Sequence, residues 1–222
     1  MLFAPGELRI VDAAGRLTID DPLEGLDARE ALPPLLRPGM LMDLAGYDAW
    51  EAECVATLAS GIDAAGALNV ITRATDVARA WTPDQGALVD MVAAAFRAAR
   101  TESAAETAWD VGIGGAILRS LVKDAPHALD QDPPRLSDDL ERAIANYLAA
   151  RVFGNWISYQ GRGLRTIVAW LHACQDLVRA FAANGHVTDR SGLVSAIRDA
   201  DFIMLHTVDS QAFARAAVLV EN

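Results

Sequence analysis

Leu164-Arg165-Thr166-Ile167-Val168-Ala169-Trp170-Leu171-His172-Ala173-Cys174-Gln175-Asp176-Leu177-Val178-Arg179-Ala180-Phe181-Ala182-Ala183-Asn184-Gly185 carries no Pro, and no Gly before its last residue. Leu164, Val168, Leu171, Val178 and Phe181 recur at helical spacing, so the stretch reads as one helix with an apolar stripe. Asn184-Gly185 is expected to close it in the left-handed conformation. A helix this long needs other helices to cover it, and the neighbouring text supplies them. Before it, Ser137 opens a helix on Leu140, Ile144, Leu148 and Val152, with Asp138, Asp139 and Glu141 where their charge suits the N-terminal dipole. Gly161 and Gly163 separate the two, which predicts an antiparallel pair. After it, Thr188 is expected to start a helix on Val194, Ile197 and Met204, and a last one spans Ser210 to Leu219.

Further towards the N-terminus, residues 123–136 contain Pro126, Pro133 and Pro134 and read as an irregular connector. Residues 41–122 then predict four helices. The first begins near Leu41 and carries Leu44, Tyr47 or Asp48, Cys54 or Val55, and Leu58 before Gly61. Asp63 caps the second, which runs on Leu68, Ile71 and Val77 to about Ala80. Thr82-Pro83 starts the third, through Arg100, and the fourth spans Glu102 to Val122. In residues 1–40, Glu7–Val11 and Arg16–Ile19 are β-like and flank Asp12-Ala13-Ala14-Gly15, a hairpin or extended arm. Pro22, Pro33, Pro34 and Pro38 make the remainder a connecting wrap. The expected fold is all-α: one domain over residues 1–222, a bundle of about seven to eight helices with a short N-terminal β-hairpin or extended arm.

Composition agrees with this class. Hydrophobic residues make up 52% of the 222 residues and aromatics only 6%, a balance that favours close-packed helices over sheets. Nineteen Lys and Arg against thirty Asp and Glu give a formal charge of −11, which repels nucleic acid and anionic membranes. No apolar run approaches the roughly 20 residues of a membrane span and no leader pattern opens the chain, so a cytoplasmic location is expected. The two cysteines, Cys54 and Cys174, are too far apart in sequence for a zinc-type spacing and read as buried apolar groups. No cofactor is implied by any motif. An Ala-rich helical chain of this kind also leaves open a homodimer through a helix face.

Several constellations invite chemistry and are weighed against plainer roles. Gly112-Ile113-Gly114-Gly115 resembles a phosphate loop but lacks the preceding strand and following Lys-Ser/Thr, and close helix packing explains it better. Glu102, Glu106 and Asp110 share a helix face without a His partner, which reads as a solvated acidic stripe. His127, His172, His186 and His206 show no metal spacing, and no Ser, His and acid set emerges. The densest signal is Phe153 to Arg165. There Arg162 and Arg165 are cations able to hold a carboxylate or phosphate, with Trp156 or Tyr159 as a stacking face. The alternative is that Trp156 fills the core and the arginines cap carbonyls or pair with acids. His206 and Asp209, with Gln211, form a second cluster with the same two readings.

Asn146-Tyr147-Leu148, Val152-Phe153-Gly154-Asn155, the helix from Leu164 to Phe181, and Leu193 to Arg198 leading to His206 resemble the C-terminal helical region of the flagellin lysine-N-methylase-like, cysteine-cluster proteins. Leu2-Phe3-Ala4-Pro5-Gly6-Glu7-Leu8 is similar to the text that follows that family's Cys-rich metal-binding segment. The resemblance implies a helical protein-interaction domain with flagellin as a partner. It also leaves an alternative in which the chain is part of a protein-lysine methyltransferase or redox enzyme whose Cys-rich centre lies elsewhere. Cys54 and Cys174 do not reproduce the family's clusters, so no catalytic or metal residue carries over. A small-molecule-binding bundle with the Trp156 to Arg165 turn as its pocket is the third reading.

Overall fold

The computed structural model describes residues 34–101, 113–122, 129, 136–152 and 161–219. Among these, eight α-helices follow a two-stranded antiparallel hairpin: β1 (Leu35–Arg37), β2 (Met40–Leu41), α1 (Leu44–Leu58), α2 (Ala64–Arg79), α3 (Leu88–Thr101), α4 (Ile113–Leu121), α5 (Asp138–Val152), α6 (Leu164–Asn184), α7 (Arg190–Phe202) and α8 (Ser210–Leu219). The fold is all-α with a short N-terminal hairpin, as the periodicity predicts.

The hairpin stands where a Pro-rich wrap is expected, because Pro38 and Gly39 sit at the turn and not within a strand. Pro fixes the first central residue and Gly39, at φ +79°, takes the second, the pattern of a type II turn. Residues 7–19, the expected hairpin, lie outside the described residues, as do Glu102, Glu106, Asp110, Gly112 and His127.

Asp-x-x-Gly starts three of the helices. The Oδ1 atoms of Asp43, Asp63 and Asp189 each accept from the amide of the glycine three residues on, Gly46, Gly66 and Gly192. Asp189, and not Thr188, therefore caps α7, while Asp63 caps α2 as expected. The third helix departs further from expectation. Pro83–Gln85 form a single 3₁₀ turn, with Gln85 Oε1 accepting from Thr82 N at 2.9 Å, and the chain then bends at Gly86 so that α3 begins at Leu88.

α6 is the axis of the fold. Fourteen of its 21 residues are buried, and it packs against α2, α4, α5, α7, α8 and β1. A single apolar stripe is therefore too narrow a description: Thr166, Ile167, Trp170, Cys174 and Leu177 are buried as well, while Phe181 is only partly so. Trp170 meets Phe213 of α8 edge to face at 4.9 Å. α1, α2 and α3 pack on one another, and α1 and α2 reach α5. Within α5, Leu140, Ile144, Leu148 and Val152 are buried as their spacing predicts. Leu44, Val77 and Val194, expected inside, are exposed, at 53%, 50% and 41%. In α2 the inner face is instead built from Ala67, Leu68, Ile71, Ala74 and Ala78, since alanines fill the close contact and leave Val77 on the other side.

α4 approaches α6 so closely that a Cβ on Gly114 would lie 2.5 Å from Ala173 N. The small residue is needed for packing, the plainer of the two roles considered for this glycine cluster. Gly115 N donates to Asp176 Oδ2 at 2.8 Å, so the chain's own carboxylate meets the amide end of α4.

Candidate functional site

The turn before α6 is assembled by backbone geometry. Gly163 has φ +67°, and a Cβ there would lie 2.2 Å from Leu35 O, so only glycine lets this turn press against the hairpin. Arg162 N donates to Thr166 Oγ1 at 2.7 Å and closes it. Arg165 Nε stands 3.7 Å from Asp76 Oδ1 on α2, and Arg79 NH1 lies 3.6 Å from the same oxygen. Arg37 donates to Arg79 O. Arg165 thus belongs to a junction joining the hairpin, the end of α2 and the start of α6. Trp156 and Tyr159 lie outside the described residues.

The second expected cluster separates into two roles. Asp209 Oδ1 accepts from Ala212 N at 2.7 Å and caps α8. His206 is exposed, with its ring 5.5 Å from that of Phe202. His206 lies within a π turn, Ile203–Thr207, and Asp209 just beyond it; there Val208 N reaches back five residues to Ile203 O at 2.9 Å. Such turns are rare and frequently accompany functional positions.

A further cluster joins residues that no spacing links. Tyr147 of α5 donates its hydroxyl to Asp201 Oδ1 of α7 at 2.7 Å. Arg151, one turn after Tyr147, pairs with the same oxygen and lies 5.4 Å from the tyrosine ring centre. Burial first, then the neighbouring Cys174 thiol and Asp201, hold the phenol protonated well above its ordinary range. Burial pushes the Cys174 thiol up to about 12, so at neutral pH it is a protonated apolar group and no nucleophile. The cluster therefore clamps α7 to α5 and α6. Tyr147 and Arg151 at four-residue spacing were a visible signal. Asp201, fifty residues further on, was not.

No family model, curated protein or solved structure matches this chain. The resemblance to the cysteine-cluster proteins rests on the residues quoted for it. Among the described residues, no three His, Cys, Asp or Glu side chains are grouped to hold a metal ion, and no helix is long and apolar enough to cross a membrane.

Two further sets of buried polar groups are paired within the fold. Thr72 Oγ1 gives its proton to Leu68 O at 2.7 Å, so its 3.0 Å contact with His172 Nε2 requires the imidazole to donate. Burial lowers the His172 pKa to about 4, which keeps that ring neutral. Arg179 and Glu141 pair at 2.7 Å with side chains only 11% and 13% exposed, tying α6 to α5.

The outer side of α7 differs from all of these. Val194, Phe202 and Leu205 are exposed large apolar residues, Phe202 at 64% and Leu205 at 55%. With 3.6 residues per turn, Arg190, Val194, Arg198, Phe202 and Leu205 fall along one stripe, and His206 borders it at Phe202.

Proposed function

We propose that this chain is a helical protein-interaction domain, with the outer stripe of α7 and the π turn as its contact surface. The observation that carries the reading is the adjacent exposure of Phe202 and Leu205. Burying side chains of this size is worth about 1.5–3 kcal/mol each, a gain the isolated fold leaves unused and a partner recovers. The inner side of the same helix is clamped through Tyr147, Arg151 and Asp201, so the stripe is offered on a rigid element. The resemblance to the cysteine-cluster proteins adds flagellin as a heterologous partner to test.

The experiment is an NMR titration with flagellin, together with a concentration series of the chain alone. Resonances of residues 194–206 are expected to shift in at least one series, and the Phe202→Ser/Leu205→Ser variant, still helical by circular dichroism, is expected to lose those shifts. If neither series perturbs the stripe, or if the variant associates as the parent does, the reading fails.

A further inference from the structure

The corner between α6 and α7 carries a reactive dipeptide. Asn184-Gly185 is the one Asn-Gly step in the sequence; the other asparagines precede Val70, Tyr147 and Trp156 or end the chain. A side chain on the following residue hinders attack of its amide on the asparagine, and glycine has none. Asn184 and Gly185 are both exposed. In the closed corner two features hold the reaction back. Gly185 N donates to Phe181 O at 2.9 Å. Asn184, the last residue of α6, has a helical ψ that turns Gly185 N away from the Asn184 Cγ. The lock is a weak one. His186 N bonds to Ala183 O and Val187 N to Ala182 O, but His186 must sit at φ +46°, a conformation costly to any residue with a Cβ. A helix end of this kind opens far more readily than the core behind it.

We propose that Asn184 is a site of spontaneous deamidation, gated by opening of the C-terminal turn of α6. When the turn opens, Gly185 N gives its proton to solvent base and bonds to the Asn184 Cγ. The Cγ–Nδ2 bond breaks, and the side-chain nitrogen takes a proton from water and leaves as ammonia, which closes a succinimide. Water then adds to either ring carbonyl and opens the ring. The product is an aspartate at position 184, or an iso-aspartate whose main chain runs through Cγ. One water is consumed, one ammonia is released, and nothing is oxidised or reduced. The new carboxylate stands at the negative end of the α6 dipole, so it opposes reclosing. The iso-aspartate also lengthens the main chain by a methylene. Val187, next in the corner, packs against the core and lies 3.1 Å from where a Cβ on Gly192 would stand, so the change is passed to the first turn of α7. This holds whether or not the outer stripe of α7 binds a partner.

Peptide mapping by mass spectrometry, with iso-aspartate identified by fragmentation, follows the full chain over time in native buffer and in guanidinium chloride. In native buffer Asn184 is expected to convert before Asn69 and Asn146, more slowly than in denaturant, with iso-aspartate as the main product. His186→Gly relieves the left-handed strain and tightens the corner. It is expected to slow native conversion by roughly two- to fivefold and to leave the denatured rate nearly unchanged. Gly185→Ala is expected to slow conversion in denaturant as well, because its Cβ hinders ring closure. An Asn184 that stays intact in native buffer for many times the period the denatured chain needs overturns the proposal. Equal native and denatured rates overturn the gating, and so does a native rate that His186→Gly leaves unchanged. Conversion of denatured Gly185→Ala at the parent rate overturns the ring-closing route.

Discussion

α6 and α7 are neighbours that use apolar residues in opposite ways. α6 is covered by helices on most of its circumference, and two of its buried polar side chains are matched inside the fold, His172 to Thr72 and Asp176 to Gly115. α7 turns Leu193, Ala196, Ile197 and Ala200 inward and leaves Val194, Phe202 and Leu205 in solvent. Burial on α6 joins the other helices into one core. The uncovered side of α7 is unnecessary to the isolated fold, and a partner can use it.

If that contrast is right, substitutions in the α6 surroundings act on stability and those on the α7 stripe act on association. The largest effect is expected at the α4–α6 contact. Gly114→Val forces a side chain into the backbone around Ala173, and urea unfolding should show a loss of about 3 kcal/mol or complete detachment of α4. A neutral result there removes the claim that α6 is closely covered.

Asp176 gives the next effect, with a sign opposite to the usual acid one. Burial raises its pKa to about 6 from 3.8, against the Gly115 amide and the Arg179 and Arg119 charges. The folded state therefore binds this proton more tightly than the unfolded chain, and the group's contribution to stability grows as pH falls through about 6 towards 4. Asp176→Asn, which keeps an oxygen for Gly115 N, is expected to raise stability at pH 7–8 by on the order of 1–3 kcal/mol. The difference should shrink as pH falls towards 4, and thermal melts across that range measure it.

Tyr147→Phe removes the hydroxyl that fixes α7 from within. Asp201 retains Arg151, so the expected loss is about 1 kcal/mol in chemical unfolding. The smallest change lies at the corner between the two helices. His186 is the one non-glycine residue with positive φ among the described residues, at +46°. Its amide donates to Ala183 O at 3.1 Å and that of Val187 to Ala182 O at 3.0 Å, the paired bonds of a Schellman motif. His186→Gly should relieve the left-handed strain and raise the melting temperature by the equivalent of about 0.5–1 kcal/mol.

The same corner shows how the sequence can mislead. Asn184-Gly185 was the natural left-handed stop, yet Gly185 has φ −82° and His186 takes the strained position one residue later. Helices were legible wherever Leu and Ile marked the stripe, as in α5, and wherever a cap stood before them, as at Asp63. Asp43 and Asp189 carried the same Asp-x-x-Gly signal and were readable in principle. Alanine blurred the phase elsewhere: in α2 it packs the interior as well as valine would, so Val77 gave no reliable sign of the inner face. Pro38 read as a strand breaker because a turn and a break share the same residue. Of the candidate site residues, Arg165 was visible as a cation, but Asp76, far earlier in the chain, could be placed beside it only by the fold. His206 was visible, whereas the exposure of Phe202 beside it depends on how α7 rotates onto α5 and α6.

Sedimentation velocity of the intact chain, alone and with flagellin, run beside Phe202→Ser/Leu205→Ser across the same concentrations, tests the role of the α7 stripe most directly. The expected result is a parent whose sedimentation coefficient rises with concentration in at least one of the two series and a helical variant of unchanged stability whose coefficient rises in neither. Identical profiles for the two chains in both series, or a variant that loses its fold along with its association, would contradict the assignment of the α7 stripe to binding and not to stability.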